Sequence, residues 1–465
     1  MTPSKQFVHL KQQGTILLVS MIFIIVFSAL AVSMATLSGT NAQIADNQRK
    51  ADGARAAAES GLEIIRNWIG QVSIPGSTPQ HLKFNEITKS FRLKAYEISN
   101  VSATYDSSSI KVSSVNLNFQ AGQSFYASIL PLPSPAEINT LQVNVAGVYG
   151  TLSRTIRVNF QLGERAHTVF DFGVATKGPL SLAGNVELGG VNVRVESSVY
   201  IESKNSNLAL SMIGNSKIAG DVSIVNPIAA VDLGGKASVG GETGQAAIKN
   251  HVKFGVPPTE FPEPNPGYFE PYVINVVNSN TNTKADATFE NVRILAGTNP
   301  NFTGRVELRG IVFIETPNIV RFGGTTDVTG IIVGDGDWTN DSGSNRIIFD
   351  GTVNSLPVTQ LPDEQKFAGI RDKTGTFVIA PGFRLSFGGN FKTLSGAIAG
   401  NGIEFYGDAG GTINGSVINY ANTEMTLNGN SDLYFNRSGL TKGPAGFVPE
   451  IVLQYDPSSY SEIVL

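Results

Sequence analysis

Thr15-Ile-Leu-Leu-Val-Ser-Met-Ile-Phe-Ile-Ile-Val-Phe-Ser-Ala-Leu-Ala-Val-Ser-Met-Ala-Thr-Leu37 is an unbroken apolar run, and no residue from Gln12 to Ala45 is charged. As a helix, about 23 residues reach roughly 34 Å, enough to cross the hydrocarbon core of a bilayer. Lys5 and Lys11 stand just before the run. The N-terminus is therefore expected to stay cytoplasmic and the remainder to be exported. Two competing readings stay open: a secretory signal cut at Ala29-Leu30-Ala31 or Ser33-Met34-Ala35, and a plain signal anchor.

The residues after the run speak against cleavage there. From Thr36 to Trp68 there is no Pro, and the stretch is rich in Ala. Those are helical propensities. Ala54, Ala57, Ala58, Leu62, Ile65 and Ile69 fall near helical spacing and form one apolar stripe. Gly39, Gly53 and Gly61 weaken the helix without forbidding it. The expectation is one long helix that leaves the membrane and continues outside it.

A short basic leader, a Gly, a wholly apolar helix and then Ala57-Ala58-Glu59-Ser60-Gly61-Leu62 together resemble the N-terminal region of PilX-type minor pilins. They also resemble the K-type pseudopilins of type II secretion. The likeness covers about residues 10 to 65. It implies cleavage by a prepilin peptidase between Gly14 and Thr15. It also implies partner pilins or pseudopilins held through helix packing of Ile16 to Leu37, with membrane lipid around them. Major pilins carry Glu at the fifth mature position, where this chain has Val19. The minor class often lacks that Glu, so the departure fits it. The first mature residue would be Thr15 rather than the frequent Phe.

Beyond Val72 the pattern becomes short alternating runs. Leu141, Val143 and Val145 alternate with polar residues, and after Gly147-Val-Tyr-Gly150 so do Ile156, Val158 and Phe160. This predicts a β-hairpin with one buried face. Pro131, Pro133 and Pro135 mark a loop before it.

From His167 to about Gly439 short apolar runs are punctuated by Gly and Asn. One repeat is clear. Val320-Arg-Phe-Gly-Gly324 precedes Gly330-Ile-Ile-Val-Gly334, and Leu385-Ser-Phe-Gly-Gly389 precedes Gly396-Ala-Ile-Ala-Gly400. Repeated short strands suit the stacked coils of a β-solenoid, with Asn and Gly supplying αL corners. An irregular β-sandwich is the alternative. Val256-Pro-Pro-Thr-Glu-Phe-Pro-Glu-Pro-Asn-Pro-Gly267 cannot pair as an inner strand and reads as a link that splits the body.

The expected class is thus α+β, mostly β. The expected order is a leader (1–14), a transmembrane and extended pilin-like helix (15–70) and a β-rich pilin-like head (71–165). A Gly-rich β region (166–255), a Pro-rich linker (256–275), a solenoid-like region (276–440) and a C-terminal tail (441–465) follow. The tail is expected to lie along the body or cap it.

Chemistry is sparse in this sequence. The 465 residues hold 34 Lys and Arg against 38 Asp and Glu, a net charge of -4, and no basic stretch that predicts a nucleic-acid partner. Cys is absent, which removes disulfides and thiolate chemistry. The four His (His9, His81, His167, His251) have no carboxylate or His neighbour at ligand spacing. Gly234-Gly235-Lys236 fails the phosphate-loop spacing, because position 230 is Ala. Asp335, Asp337 and Asp341 are weak candidates for Ca²⁺, although the EF-hand pattern fails at Asn340 and Arg346. Asp327, Asp335, Asp337, Asp341 and Asp350 would be the carboxylates of a glycan-cleaving site. No cofactor is expected. The functional expectation is a non-enzymatic minor pilin or pseudopilin, single-pass in the inner (cytoplasmic) membrane, with its body outside or in a surface pilus. A membrane-anchored adhesin or cell-wall-binding protein, and less strongly a polysaccharide-acting enzyme, are the alternatives.

Overall fold

The computed structural model describes residues 13–118, 122–204, 207–339, 343–438 and 443–463. The chain is mostly β, with one long N-terminal helix, and its sheets include both antiparallel and parallel pairings. It divides into two compact units. One comprises residues 1–74, 78–163 and 452–465, and the other residues 75–77 and 164–451.

In the first unit, helix α1 (Gln13–Gly70) is continuous over 58 residues. Its second half packs on an antiparallel meander of Ala103–Asp106, Ser109–Asn118, Gln123–Leu132, Thr140–Tyr149 and Leu152–Arg165. Every residue of the expected stripe is buried, from Ala54 at 0% exposed to Leu62 at 5%. The reason lies in size. A Cβ at Gly147 of the sheet would stand 2.1 Å from the Ala58 nitrogen and 2.2 Å from the Ala54 oxygen. One at Gly61 would stand 2.5 Å from the Phe125 ring. Gly53 and Gly61, two of the three glycines expected to weaken α1, are therefore points of close approach to the sheet, whereas a Cβ at Gly39 would meet nothing.

Three expectations for this part of the chain are corrected. Residues Lys83–Ser99 form a second helix, α2, rather than alternating runs. Phe84, Ile87, Phe91 and Ala95 line its buried side, Phe91 meets Trp68 edge-on at 6.0 Å, and Asn100 closes it at φ 53°. Pro131 is not in a loop. It sits inside a strand opposite Leu141, because its ring fits a position that donates no ladder bond. The C-terminal tail lies along the body only in part: Ala445 and Phe447 pack there, and the remainder does not. Glu450–Ile463 is a strand beside Leu152–Arg165. Tyr455 packs on Phe160 at 5.5 Å and under Arg66 at 4.8 Å, and the Asn159 N–H donates to Ser459 Oγ at 2.7 Å. The chain thus leaves this unit after Gly163 and returns to it at Val452.

The second unit is built of turns of short strands shared among three sheets, and six of the turns give one strand to each sheet. Val174–Thr176, Leu180–Gly184 and Glu187–Gly190 make one turn, and Val199–Ile201, Leu208–Gly214 and Lys217–Ile218 lie beside them in parallel register. The order of turns is not the order of the chain. It starts at Val174 in the interior of the stack and winds to one end at Val252–Phe254. It restarts at the other end with Asn275–Val277 and winds back until Val417–Asn419, Met425–Gly429 and Asp432–Phe435 pair with the starting turn. The Pro-rich stretch joins the two ends. The expected division of the body at 256–275 is therefore absent, since the sheets run continuously across the join.

The recognised repeat has a clear physical meaning. Phe322 and Phe387 are members of one stack, Phe302–Phe322–Phe349–Phe387–Phe405, with centroid spacings of 5.1, 5.1, 4.9 and 4.9 Å. That spacing is close to the distance between paired strands. The following glycines also stack. A Cβ at Gly389 or Gly351 would stand 1.9 Å from the carbonyl oxygen of Gly351 or Gly324. At this corner close approach, and not an αL turn, demands Gly. At another corner both reasons apply: Gly184 (φ 107°) and Gly214 (φ 79°) each face the carbonyl of the glycine one turn below.

Candidate functional site

The apolar half of α1 has no protein to cover it. Fifteen large apolar side chains from Ile16 to Leu37 stand 47–73% exposed. Moving them out of water is worth on the order of 20 kcal/mol. Among the described residues this is the one helix long and apolar enough to cross a membrane, with a mean hydropathy of 2.8 over its apolar window. Its hydroxyls suit an apolar solvent. Ser20 Oγ donates to the Leu17 carbonyl at 2.9 Å, and Thr36 Oγ1 to that of Val32 at 3.0 Å. Charge begins at Asp46, which pairs with Arg49 and Lys50 at 2.9 and 2.6 Å.

Gly14 and Thr15 lie in the first turn of α1, and the leader 1–12 is outside the described residues. In the motif 57–62, Ala57, Ala58, Gly61 and Leu62 are buried against the head sheet. Glu59 and Ser60 are exposed, and Glu59 pairs with Arg55 at 3.1 Å. The motif's work in this molecule is helix-on-sheet packing.

The two described calcium candidates, Asp335 and Asp337, each hold partners of their own. Asp335 accepts the Thr316 N–H at 2.6 Å, and burial pushes its carboxyl up. Asp337 accepts the N–H and hydroxyl of Thr339 at 2.8 and 2.7 Å, which holds it below its usual range. Asp341 is outside the described residues. Among the described residues no group of three or more His, Asp or Glu is placed to hold a metal. Asp327 is bound by Arg305 at 2.8 Å, and Asp350 by Arg321 at 3.0 Å and by the Tyr406 hydroxyl. Burial and that carboxylate push the Tyr406 phenol up to about 12.

Two histidines do have carboxylate partners, from distant parts of the sequence. His251 Nδ1 lies 2.9 Å from Asp221, and His167 Nδ1 lies 3.2 Å from Glu450. The second contact is close but off the hydrogen-bond direction. Burial would push the Glu450 carboxyl up, but His167 and Arg165, the latter at 2.8 Å, together hold it below its usual range.

Sequence reasoning missed a cavity of about 800 Å³ in the second unit, whose walls include Lys177, Phe261, Trp338 and Tyr420. Lys177 follows the strand Val174–Thr176, Tyr420 follows Val417–Asn419, and Phe261 belongs to the Pro-rich stretch. Four segments that are far apart in sequence supply these groups, so no local motif announces them. The Tyr420 hydroxyl donates to the Pro262 carbonyl at 2.5 Å, and the Thr259 N–H donates to the Tyr200 hydroxyl at 2.8 Å. Those bonds pin the Pro-rich stretch over the sheet ends and fix the ring planes.

No family model matches this chain, and no curated protein matches it. Among solved structures, the competence-associated pilin ComZ from Thermus thermophilus aligns with 89% of this chain and 97% of its own, at 10% identity and a TM-score of 0.28. A score that low carries no weight for fold or function.

Proposed function

We propose that this protein is a minor pilin-like or pseudopilin-like surface protein rather than an enzyme. It sits single-pass in the cytoplasmic membrane, is processed between Gly14 and Thr15, and assembles with partner pilins through Ile16 to Leu37. The observation that carries the reading is α1 itself. One half is an uncovered apolar rod, and the other is locked onto a sheet through Ala54, Ala57, Ala58 and Gly61. Such a rod has two ways to leave water, lipid or the rods of partner subunits, and a pilin uses each in turn. The residues of the PilX-type resemblance fall on both halves.

We read residues 164–451 as a β-solenoid, on the strength of the six turns that give one strand to each sheet and of the Phe and Gly columns. It is a long insertion in the sequence of the anchored unit and serves adhesion or a filament tip. A second reading, an anchored adhesin that never enters a filament, is favoured by Val19 where the shaft-forming Glu would stand. Digestion with prepilin peptidase and N-terminal sequencing separates the two. A mature start at Thr15 supports assembly, and an intact leader supports the static anchor.

A further inference from the structure

The cavity at Lys177 combines three features: a cation, aromatic walls and a ring of hydrogen-bonding groups. The Lys177 ammonium lies 4.3 Å from the centre of the Trp338 ring, 5.3 Å from Phe261 and 5.6 Å from Tyr420. The rings are mutually inclined, Trp338 to Tyr420 by 53° at 5.5 Å and Phe261 to Tyr420 by 60° at 5.9 Å. They form a corner and not a flat stack. Lys204, the other lysine in the wall, is already paired with Glu202 at 2.5 Å. Among the described residues Lys177 has no carboxylate within ion-pair distance. It is half-buried, and burial pushes its ammonium below the ordinary lysine range. Ring faces attract the cation but accept no strong hydrogen bond from it. Its N–H donors are therefore left to whatever fills the cavity.

The wall also limits what that occupant is. Glu202, Glu260 and Glu263 face two lysines, so the wall carries net negative charge. A polyanion such as nucleic acid would be repelled, whereas a ligand with one carboxylate placed on Lys177 would not. Glu260, Thr339 and Asn422 offer partners for several hydroxyls. Inclined aromatic rings suit the apolar C–H face of a pyranose, and the volume is in the range that holds a small multi-ring ligand. We infer that this cavity binds a short saccharide bearing a carboxylate, a uronic-acid type of glycan, with its carboxylate on Lys177 and a sugar face on Trp338. This gives the adhesive part of the proposed function a site and a ligand class. Membrane assembly does not depend on it.

The two tryptophans make the test direct. Trp68 is fully buried in the first unit, so a ligand-dependent change in emission reports Trp338. The full chain, held in a sugar-free non-ionic detergent, is titrated with an aldotriouronic acid that carries a single uronate, with a neutral trisaccharide and with acetyl-triglycine as a sugarless carboxylate. The expected result is a saturable change with the aldotriouronic acid alone. Lys177→Met should weaken it about tenfold or more, Lys177→Arg should retain most of it, and Trp338→Phe should remove the signal. No change with any probe up to about 10 mM, equal binding of the neutral sugar or the peptide, or unchanged binding by Lys177→Met would each overturn the proposal. Such a failure would leave the peptidase digest, and the assembly reading it tests, untouched.

Discussion

Substituting Gly147→Ala adds one methyl group at the place where helix and sheet come closest. Its carbon would stand 2.1 Å from the Ala58 nitrogen, 2.2 Å from the Ala54 oxygen and 2.8 Å from the Ala57 carbonyl carbon. All three are backbone atoms of α1, so no side chain can turn aside. Either the helix lifts from the sheet or the strand Thr140–Tyr149 bends, and both disturb the packing of Leu62, Ile65 and Trp68. Overpacking of this kind costs about 1–3 kcal/mol, and a backbone clash belongs at the upper end. For a unit of this size, about 3 kcal/mol lowers Tm by roughly 6–12 °C. The assay is thermal unfolding followed by the fluorescence of Trp68 in a Trp338→Phe background. Gly70→Ala is the control, because a Cβ there meets nothing within 4 Å. It should melt at or slightly above the parent temperature, since Ala is the better helix residue. A Gly147→Ala protein that melts within about 2 °C of its parent would refute the close-packing argument, since that shift corresponds to under 1 kcal/mol.

Two further outcomes follow from the second unit. Phe387→Ala removes the ring between Phe349 and Phe405 and leaves a void in a stack that cannot close, because strand spacing is fixed by the ladders. It should cost about 3–5 kcal/mol, read as a lower denaturant midpoint with little change in slope. Glu450 has a folded pKa held below its ordinary value of 4.5, so the stability it contributes is present above about pH 4.5 and is lost as pH falls through the folded value. Glu450→Gln should be less stable at neutral pH and show a flatter stability profile below pH 4.5. An unchanged acid profile would count against the Arg165–Glu450–His167 cluster as its source.

Much of the first unit was legible because its signals are local. The stripe from Ala54 to Ile69 and the alternation around Gly147–Gly150 are short-range patterns, and both correspond to packed surfaces. Helix α2 was legible by the same rule, since Phe84, Ile87, Phe91 and Ala95 recur at helical spacing with Lys83, Lys89, Arg92 and Lys94 between them, and the reading as alternating runs passed over it. Gly53 and Gly61 were read by propensity, whereas tertiary contact decides them: Tyr149 and Phe125 sit where a Cβ would be. In the second unit the repeat 320–334 against 385–400 was readable, since each turn needs its own Phe and Gly. The order of turns was not. Glu187 pairs with Asp432 across 245 residues, and nothing in either neighbourhood specifies the other. The Pro-rich stretch looked like a boundary because Pro donates no ladder hydrogen bond and five of them crowd twelve residues. Its aromatic residue and carbonyls instead close a cavity wall, a role fixed only once the two ends of the stack are known.

The account rests on α1 being an anchor, and subcellular fractionation of the full-length chain, combined with protease treatment of intact spheroplasts, tests this most directly. The protein should pellet with membranes, resist extraction at alkaline pH and lose its body to protease added from outside. Recovery of the intact chain from the soluble cytosolic fraction would contradict it.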